Sequence, residues 1–163
     1  MNTGGGAGAG TGADAEKTDI ESTPGRVVAL DLGSRRIGVA YSDSRRTLAS
    51  PWGTVERSGD PVRDRKAVVE AITEVDAGTV VVGLPLSLSG APGPAAQTAL
   101  AEVDALRAML EPLGIDVQTA DERFTTVEAQ RSLTAAGRRG PASRSVIDSA
   151  AAMVLLQAWL DKA

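Results

Sequence analysis

The chain has 163 residues, enough for one domain with its own core. It contains no Cys and no His, which excludes disulfides, thiolate metal sites and histidine-based acid–base or zinc chemistry. The formal net charge of −4 argues weakly against a polyanionic partner, but residues 1–24 hold Asp14, Glu16, Asp19 and Glu21 against Lys17, so most of that charge sits in the first stretch of the chain.

Residues 1–25, "MNTGGGAGAGTGADAEKTDIESTPG", are rich in Gly and Ala and nearly without large apolar side chains. Such a segment buries too little to offset its ordering entropy, so it reads as a disordered tail before a domain over 26–163. "RVVALDL" (26–32) predicts a strand, "GSRR" a turn and "IGVAYSD" (37–43) the antiparallel return strand. "ASPWGTVER" (49–57) predicts a third strand, weakened at its start by Pro51. Residues 61–75 predict a helix, with Pro61 at its start and apolar positions Val62, Val69 and Ile72. "GTVVVGLPL" (78–86) predicts a buried strand stopped at Pro85.

"SLSGAPGP" reads as a loop, followed by a helix over 95–111 built on Leu100, Val103, Leu106 and Leu110. "IDVQTADE" (115–122) predicts the last strand. A helix over 125–136 follows, with Thr125 and Glu128 as a capping box and Gly137 as its stop. "RRGPASR" (138–144) reads as a loop that orders on substrate, and 146–161 as the final helix. The order predicts an α/β fold: a mixed five-stranded sheet, antiparallel hairpin strands first and parallel crossovers after, with helices on both faces. Aromatic residues are only 2% of the chain, so the core must come from Val, Leu, Ala and Ile. No stretch approaches the roughly 18 apolar residues of a membrane span, and no basic segment leads into an apolar one. A cytoplasmic protein without membrane contact is expected.

Three carboxylates sit in awkward places. Asp31 interrupts an apolar strand and shares a face with Val27 and Ala29 by the period of two. Either a cation neutralises it or it is a turn aspartate that accepts backbone amides of "GSRR". Asp121 and Glu122 lie at a strand end, where functional groups gather, though a polar strand-to-helix loop needs no more explanation. Alternation points the two to opposite faces, so only one easily reaches a shared site.

Asp148 is the third. At 100° per residue, Leu155 falls about −20° from Asp148, Trp159 about +20° and Ala152 about +40°, while Gln157 falls about 180° away. Asp148 therefore shares the apolar side of the helix. Alternatively, "SVID" makes Ser145 the N-cap and Asp148 a first-turn acid. Converging carboxylates repel unless a cation lies among them, and oxygen-only ligands select Mg²⁺ or Mn²⁺. Two such ions, roughly 3.5–4 Å apart, suit phosphodiester cleavage.

"ALDLGSRRIGVAYSD", "VVVGLPLSLSG", "DERFTTVEAQ" and "VIDSAAAMVLLQAWLD" together resemble the YqgF/RuvX family of RuvC-like nucleases, in the family's order and across Ala29 to Asp161. The resemblance implies an RNase H-like fold and a divalent-metal phosphodiesterase. It implies that Asp31, Glu122 and Asp148 are the catalytic metal ligands, with Asp121 a possible additional acid. It implies one of two substrates: precursor 16S rRNA near its 5′ end, the usual assignment for bacterial members, or a four-way DNA junction. The long tail and the Arg content of "YSDSRRTLASPWGTVER" depart from the family pattern without touching these acids.

Phosphate contacts are expected from Arg35 and Arg36 in the hairpin turn, Arg123 beside Glu122, and Arg138, Arg139 and Arg144 before Asp148. Each cluster alone reads as ordinary loop solubility. Together they rim the acids, and the near absence of aromatics predicts recognition of shape and backbone rather than base stacking. "DLGSRRIG" also resembles the phosphate hairpin of the actin/hexokinase/Hsp70 group, but the chain is short for that and has no second Gly-rich motif. A non-catalytic nucleic-acid-binding factor is a further alternative. Oligomeric state, monomer or homodimer, stays open; Leu156 and Leu160 suit either a dimer face or the core.

Overall fold

A computed structural model describes residues 25–85, 91–122 and 141–163, with 141–148 described by backbone alone. The strands are β1 (Arg26–Leu32), β2 (Arg36–Ser42), β3 (Ala49–Glu56), β4 (Ala77–Leu84) and β5 (Asp116–Asp121). The helices are α1 (Pro61–Glu74), α2 (Pro94–Leu110) and α3 (Pro141–Lys162), and a single 3₁₀ turn covers Glu111–Leu113. The five strands form one sheet in the order β3-β2-β1-β4-β5. β1 pairs with β2 and β2 with β3 antiparallel, while β4 pairs parallel with β1 and β5. This is the mixed sheet the sequence predicts. The tail before Gly25 and the helix expected over 125–136 lie outside the described residues.

Alternation along the strands builds two cores. Val28, Leu30, Val80 and Val82 face α1 and α2 and pack on Val68, Ile72, Val103, Leu106 and Leu110. Val27, Ala29, Ala40 and Val81 face the opposite way, onto Ala152, Leu155, Leu156 and Leu160 of α3. Helices therefore cover both faces, and the small side chains of the second set let α3 lie close to the sheet. Leu156 and Leu160 are buried there, so they belong to the core and not to a free face.

Two apolar expectations fail for reasons of phase. In α1 the buried stripe is Asp64, Val68, Ala71 and Ile72. Val62 lies about 120° from Val68 around that helix, and it is exposed. In α2 the buried stripe is Ala96, Ala99, Val103, Leu106 and Leu110. Leu100 falls on its margin and is partly exposed.

The last helix departs further from its expected bounds. It begins at Pro141, where a proline fits the first turn, and not at residue 146. Residues 141–144 of the expected loop are helical, and Ser145 lies inside the helix instead of capping it. Asp148 is thus about two turns in, beyond the reach of a first-turn capping role.

β3 is an edge strand, consistent with Pro51, and its register with β2 shifts between Val39 and Ala40. Gly53 beside this shift has φ +139, a conformation open to glycine. Gln157 of α3 ties this edge down. Its Oε1 accepts from Ala49 N at 2.9 Å and its Nε2 donates to Thr47 O at 3.0 Å. Gln157→Ala should lower stability by about 1 kcal/mol and speed hydrogen exchange at the Ala49 amide. Unchanged exchange there would mean that α3 is held by its apolar face alone.

Candidate active site

The site forms where β1, β4 and β5 end, the edge at which open α/β sheets gather ligands. Asp31 is the penultimate residue of β1 and pairs with Gly38 across the hairpin. It is in phase with Val27 and Ala29, so its side chain lies on the α3 face of the sheet. β5 ends at Asp121, paired with Leu84 of β4, and the Glu122 amide donates to Leu84 O at 3.1 Å. That bond carries the β5 register one residue further and aims Glu122 back over β4. The Glu122 side chain rests on Gly83: a Cβ at that position would collide with Oε1 and lie 2.6 Å from Cγ. A glycine here makes the room in which Glu122 reaches Asp31.

The Glu122 carboxyl faces that of Asp31, near enough for a hydrogen bond between them to favour the protonated form of Glu122. Burial is the first cause that pushes the Glu122 carboxyl up to about 8; the bond to Asp31, the charge of Asp31 and the charge of Asp121 follow. Like charges in a partly dry setting oppose the ionisation of Glu122. Of the two acids at the strand end, Glu122 meets Asp31, and the charge of Asp121 bears on Glu122. This agrees with the alternation argument that one acid only would reach the shared position.

Among the described residues no three acidic or other ligating side chains group closely enough to hold an ion. The described part of the site is the Asp31–Glu122 pair. Asp148 belongs to α3, four residues before the buried Ala152, and its side chain lies outside the described residues. The donors present are carboxyl oxygens, a set that fits a hard divalent cation and no softer metal.

The basic residues divide. Arg35 is exposed at the hairpin tip. Arg36 is not a turn residue: it opens β2, and its Nε donates to Glu56 Oε1 at 2.8 Å. Arg144 lies in α3 and not in a loop, with its side chain outside the described residues; Arg123, Arg138 and Arg139 also lie outside them. Sequence reasoning overlooked Arg57, whose Nε donates to Gly33 O at 2.7 Å. It follows a strand and sits in no motif, so only the tertiary bond reveals it.

Fold and carboxyl pair together define a class: an RNase H-like domain with acids at the carboxyl edge of its central strands. The chain belongs to the RuvX family, whose model, described as Holliday junction resolvase, matches residues 25–162. It is 45% identical over 138 residues to a Mycobacterium sp. (strain KMS) protein named "Putative pre-16S rRNA nuclease", covering 85% of this chain and 80% of that one. Proteins of the same name from Mycobacterium ulcerans and Mycolicibacterium paratuberculosis are 46% and 49% identical over 151 and 146 residues, spanning 91% and 88% of this chain and 86% and 84% of theirs.

Among solved structures, T. thermophilus RuvC in complex with a Holliday junction substrate aligns with a TM-score of 0.53 at 12% identity, over 85% of this chain and 95% of that one. The yeast mitochondrial Holliday junction resolvase Ydc2 aligns with a TM-score of 0.54 at 11% identity, over 93% and 85%. These two likenesses carry the fold. Family and named relatives make the chain a member of a nuclease family, hydrolases of phosphodiester bonds. Among the described residues no helix is long and apolar enough to cross a membrane.

The raised carboxyl has a measurable sign. Above the ordinary carboxylate range and below about 8, folded protein holds a proton at Glu122 that the unfolded chain has released. Stability of the metal-free protein should therefore fall as pH rises through that window. Denaturant melts at several pH values should show this slope in the wild type and a flatter one in Glu122→Gln. An equal slope in both would place the coupled proton elsewhere.

Proposed function

We propose that this chain is a divalent-metal-dependent endonuclease that hydrolyses phosphodiester bonds in structured nucleic acid, with precursor 16S rRNA near its 5′ end as substrate and the cytoplasm as its place of action. The observation that carries the proposal is the half-buried Glu122 side chain, seated on Gly83 and meeting Asp31 at the strand ends. Two carboxyls brought together at one sheet edge suit a cation between them. The rRNA assignment is supported by the names of the mycobacterial relatives.

Asp31, Glu122 and Asp148 would hold Mg²⁺ or Mn²⁺, one or two ions, with Asp121 adding negative charge beside them. Bound there, such an ion activates water and stabilises the oxygen that leaves. The chain's own part is to fix the ligands. β1 and β5 deliver two carboxyls from neighbouring parts of one rigid sheet, Gly83 leaves them room, and the proton on Glu122 would have to leave for both to become ligands. Arg35, exposed at the hairpin tip, would meet a backbone phosphate, and Arg123, Arg138, Arg139 and Arg144 would carry the remaining basic charge of the proposed interface.

Four-way DNA junctions form the second reading, favoured by the family description. Labelled 5′ precursor 16S fragments and mobile four-way junctions should be offered side by side with Mg²⁺ or Mn²⁺. The proposal expects cleavage of the rRNA fragment and a loss of about a hundredfold or more in Asp31→Asn. Cleavage of the junction alone would favour the second reading. Cleavage of neither, or full activity in Asp31→Asn, would favour a binding factor.

Gly83→Ala gives a separate check. The added methyl must displace the Glu122 side chain, so cleavage should drop about tenfold or more while circular dichroism shows the fold retained. An unaffected rate would mean that Glu122 does not work from the position described.

A further inference from the structure

Arg57 stands just past the end of β3, yet it is bonded to the β1–β2 turn twice. Its backbone amide donates to Arg35 O at 2.9 Å, and its Nε donates to Gly33 O at 2.7 Å. Gly33 in turn donates its amide to Asp31 O at 3.1 Å. A Cβ at Gly33 would lie 2.5 Å from Arg36 O, so this turn has little slack. The three residues between β1 and β2 are thus pinned from outside the hairpin, two residues after Asp31.

Arg57 is itself seated. The next residue, Ser58, donates to Asp64 Oδ1 through its amide at 2.9 Å and through its hydroxyl at 2.7 Å. Asp64 is buried in the first turns of α1, and these two bonds hold its carboxyl below the usual carboxylate range. Asp60 caps the same helix by accepting from Val62 N at 3.0 Å. A continuous brace therefore runs from the start of α1 through Ser58 and Arg57 into the turn. The Arg57 side chain lies with Leu32 and Ser34 in a cleft on the α1–α2 side of the sheet, whereas alternation puts the Asp31 carboxyl on the α3 side. Arg57 reaches the site through the backbone and not by contact.

We propose that Arg57 is a positioning residue: it fixes the hairpin turn and through it the direction of the Asp31 carboxyl, so that Asp31 and Glu122 present their oxygens together to a divalent cation. The inference rests on the reading of Asp31 as a metal ligand. Removing Arg57 leaves both carboxyls in the chain but frees the peptide units that aim one of them. Groups that hydrogen-bond a metal ligand directly alter metal affinity by about 10–100-fold, and a brace acting through the ligand's backbone is expected at the lower end of that range. Arg57→Lys would restore one donor near Gly33 O without the planar fork, so partial recovery is expected.

The test uses full-length wild type, Arg57→Ala, Arg57→Lys, Ser58→Ala and Asp31→Asn, each shown folded by circular dichroism at the temperature of measurement. Mn²⁺ binding is read by calorimetry without nucleic acid, and kcat and KM are read on whichever labelled substrate the wild type cuts. Arg57→Ala should bind Mn²⁺ about tenfold more weakly and lose kcat with KM little changed. Arg57→Lys should recover part of the affinity, and Ser58→Ala should fall between wild type and Arg57→Ala. Unchanged Mn²⁺ affinity in Arg57→Ala, or a raised KM with kcat intact, would overturn the proposal and make Arg57 a phosphate contact or a purely structural residue. If Asp31→Asn itself left Mn²⁺ binding and cleavage intact, the reading of the site would fail first and the proposal with it.

Discussion

Two carboxyl groups brought together, half-buried, at the strand ends set the terms for this molecule. Asp31 and Glu122 come from strands that are not sequence neighbours, and β4 lies between β1 and β5 in the sheet. Their meeting requires the parallel register of β1, β4 and β5 to hold to its last residues. It also requires a glycine on the intervening strand, because any side chain at position 83 would occupy the volume that Glu122 crosses. A fold selected only for stability would place an apolar pair there. Burial, the bond to Asp31 and like charge instead push the Glu122 carboxyl up to about 8, at the edge where sheets of this kind bind ligands.

The rest of the structure supports that edge. The two apolar cores clamp the sheet from both sides, so the strand ends are held by Val27, Ala29, Val28, Leu30 and Val80 to Val82, all fully buried. α3 brings Asp148 into the helix that packs on the same face as Asp31, and Gln157 pins the far end of that helix to the edge strand. At the hairpin, charged and polar groups replace apolar packing: Arg36 meets Glu56, Arg57 meets Gly33, and Asp64 holds Ser58. Metal and substrate would then be met by atoms whose positions are set before they arrive, which is the condition for effective electrostatic catalysis.

Much of this was legible in the sequence. Alternation in "RVVALDL" and "IGVAYS" specified the hairpin and put Asp31 on one face, and the buried run "TVVVGL" marked the central parallel strand. The turn and edge signals around Pro51, Pro61 and Pro85 agreed with the elements found. What pattern could not supply was phase and distance. Val62 and Leu100 looked apolar enough for the helix stripes, but the stripe is decided by where the sheet lies. "SVID" looked like a helix start because Ser and Asp favour caps, while Pro141 started the helix earlier. Glu122 over Asp121 was not decidable from alternation alone, since it depends on the Leu84 carbonyl and the space at Gly83. Arg57 was silent because its bonds are to backbone carbonyls far away in sequence.

The most direct measurement is calorimetric titration of the metal-free protein with Mn²⁺ near pH 7 in buffers of different ionisation enthalpy, which counts the protons released on binding. If Glu122 holds a proton that a cation must displace, wild type should release close to one proton per site, and Glu122→Gln should release almost none. Binding without proton release in the wild type would contradict the account, because the cation would then be held somewhere other than at the shared carboxyl pair.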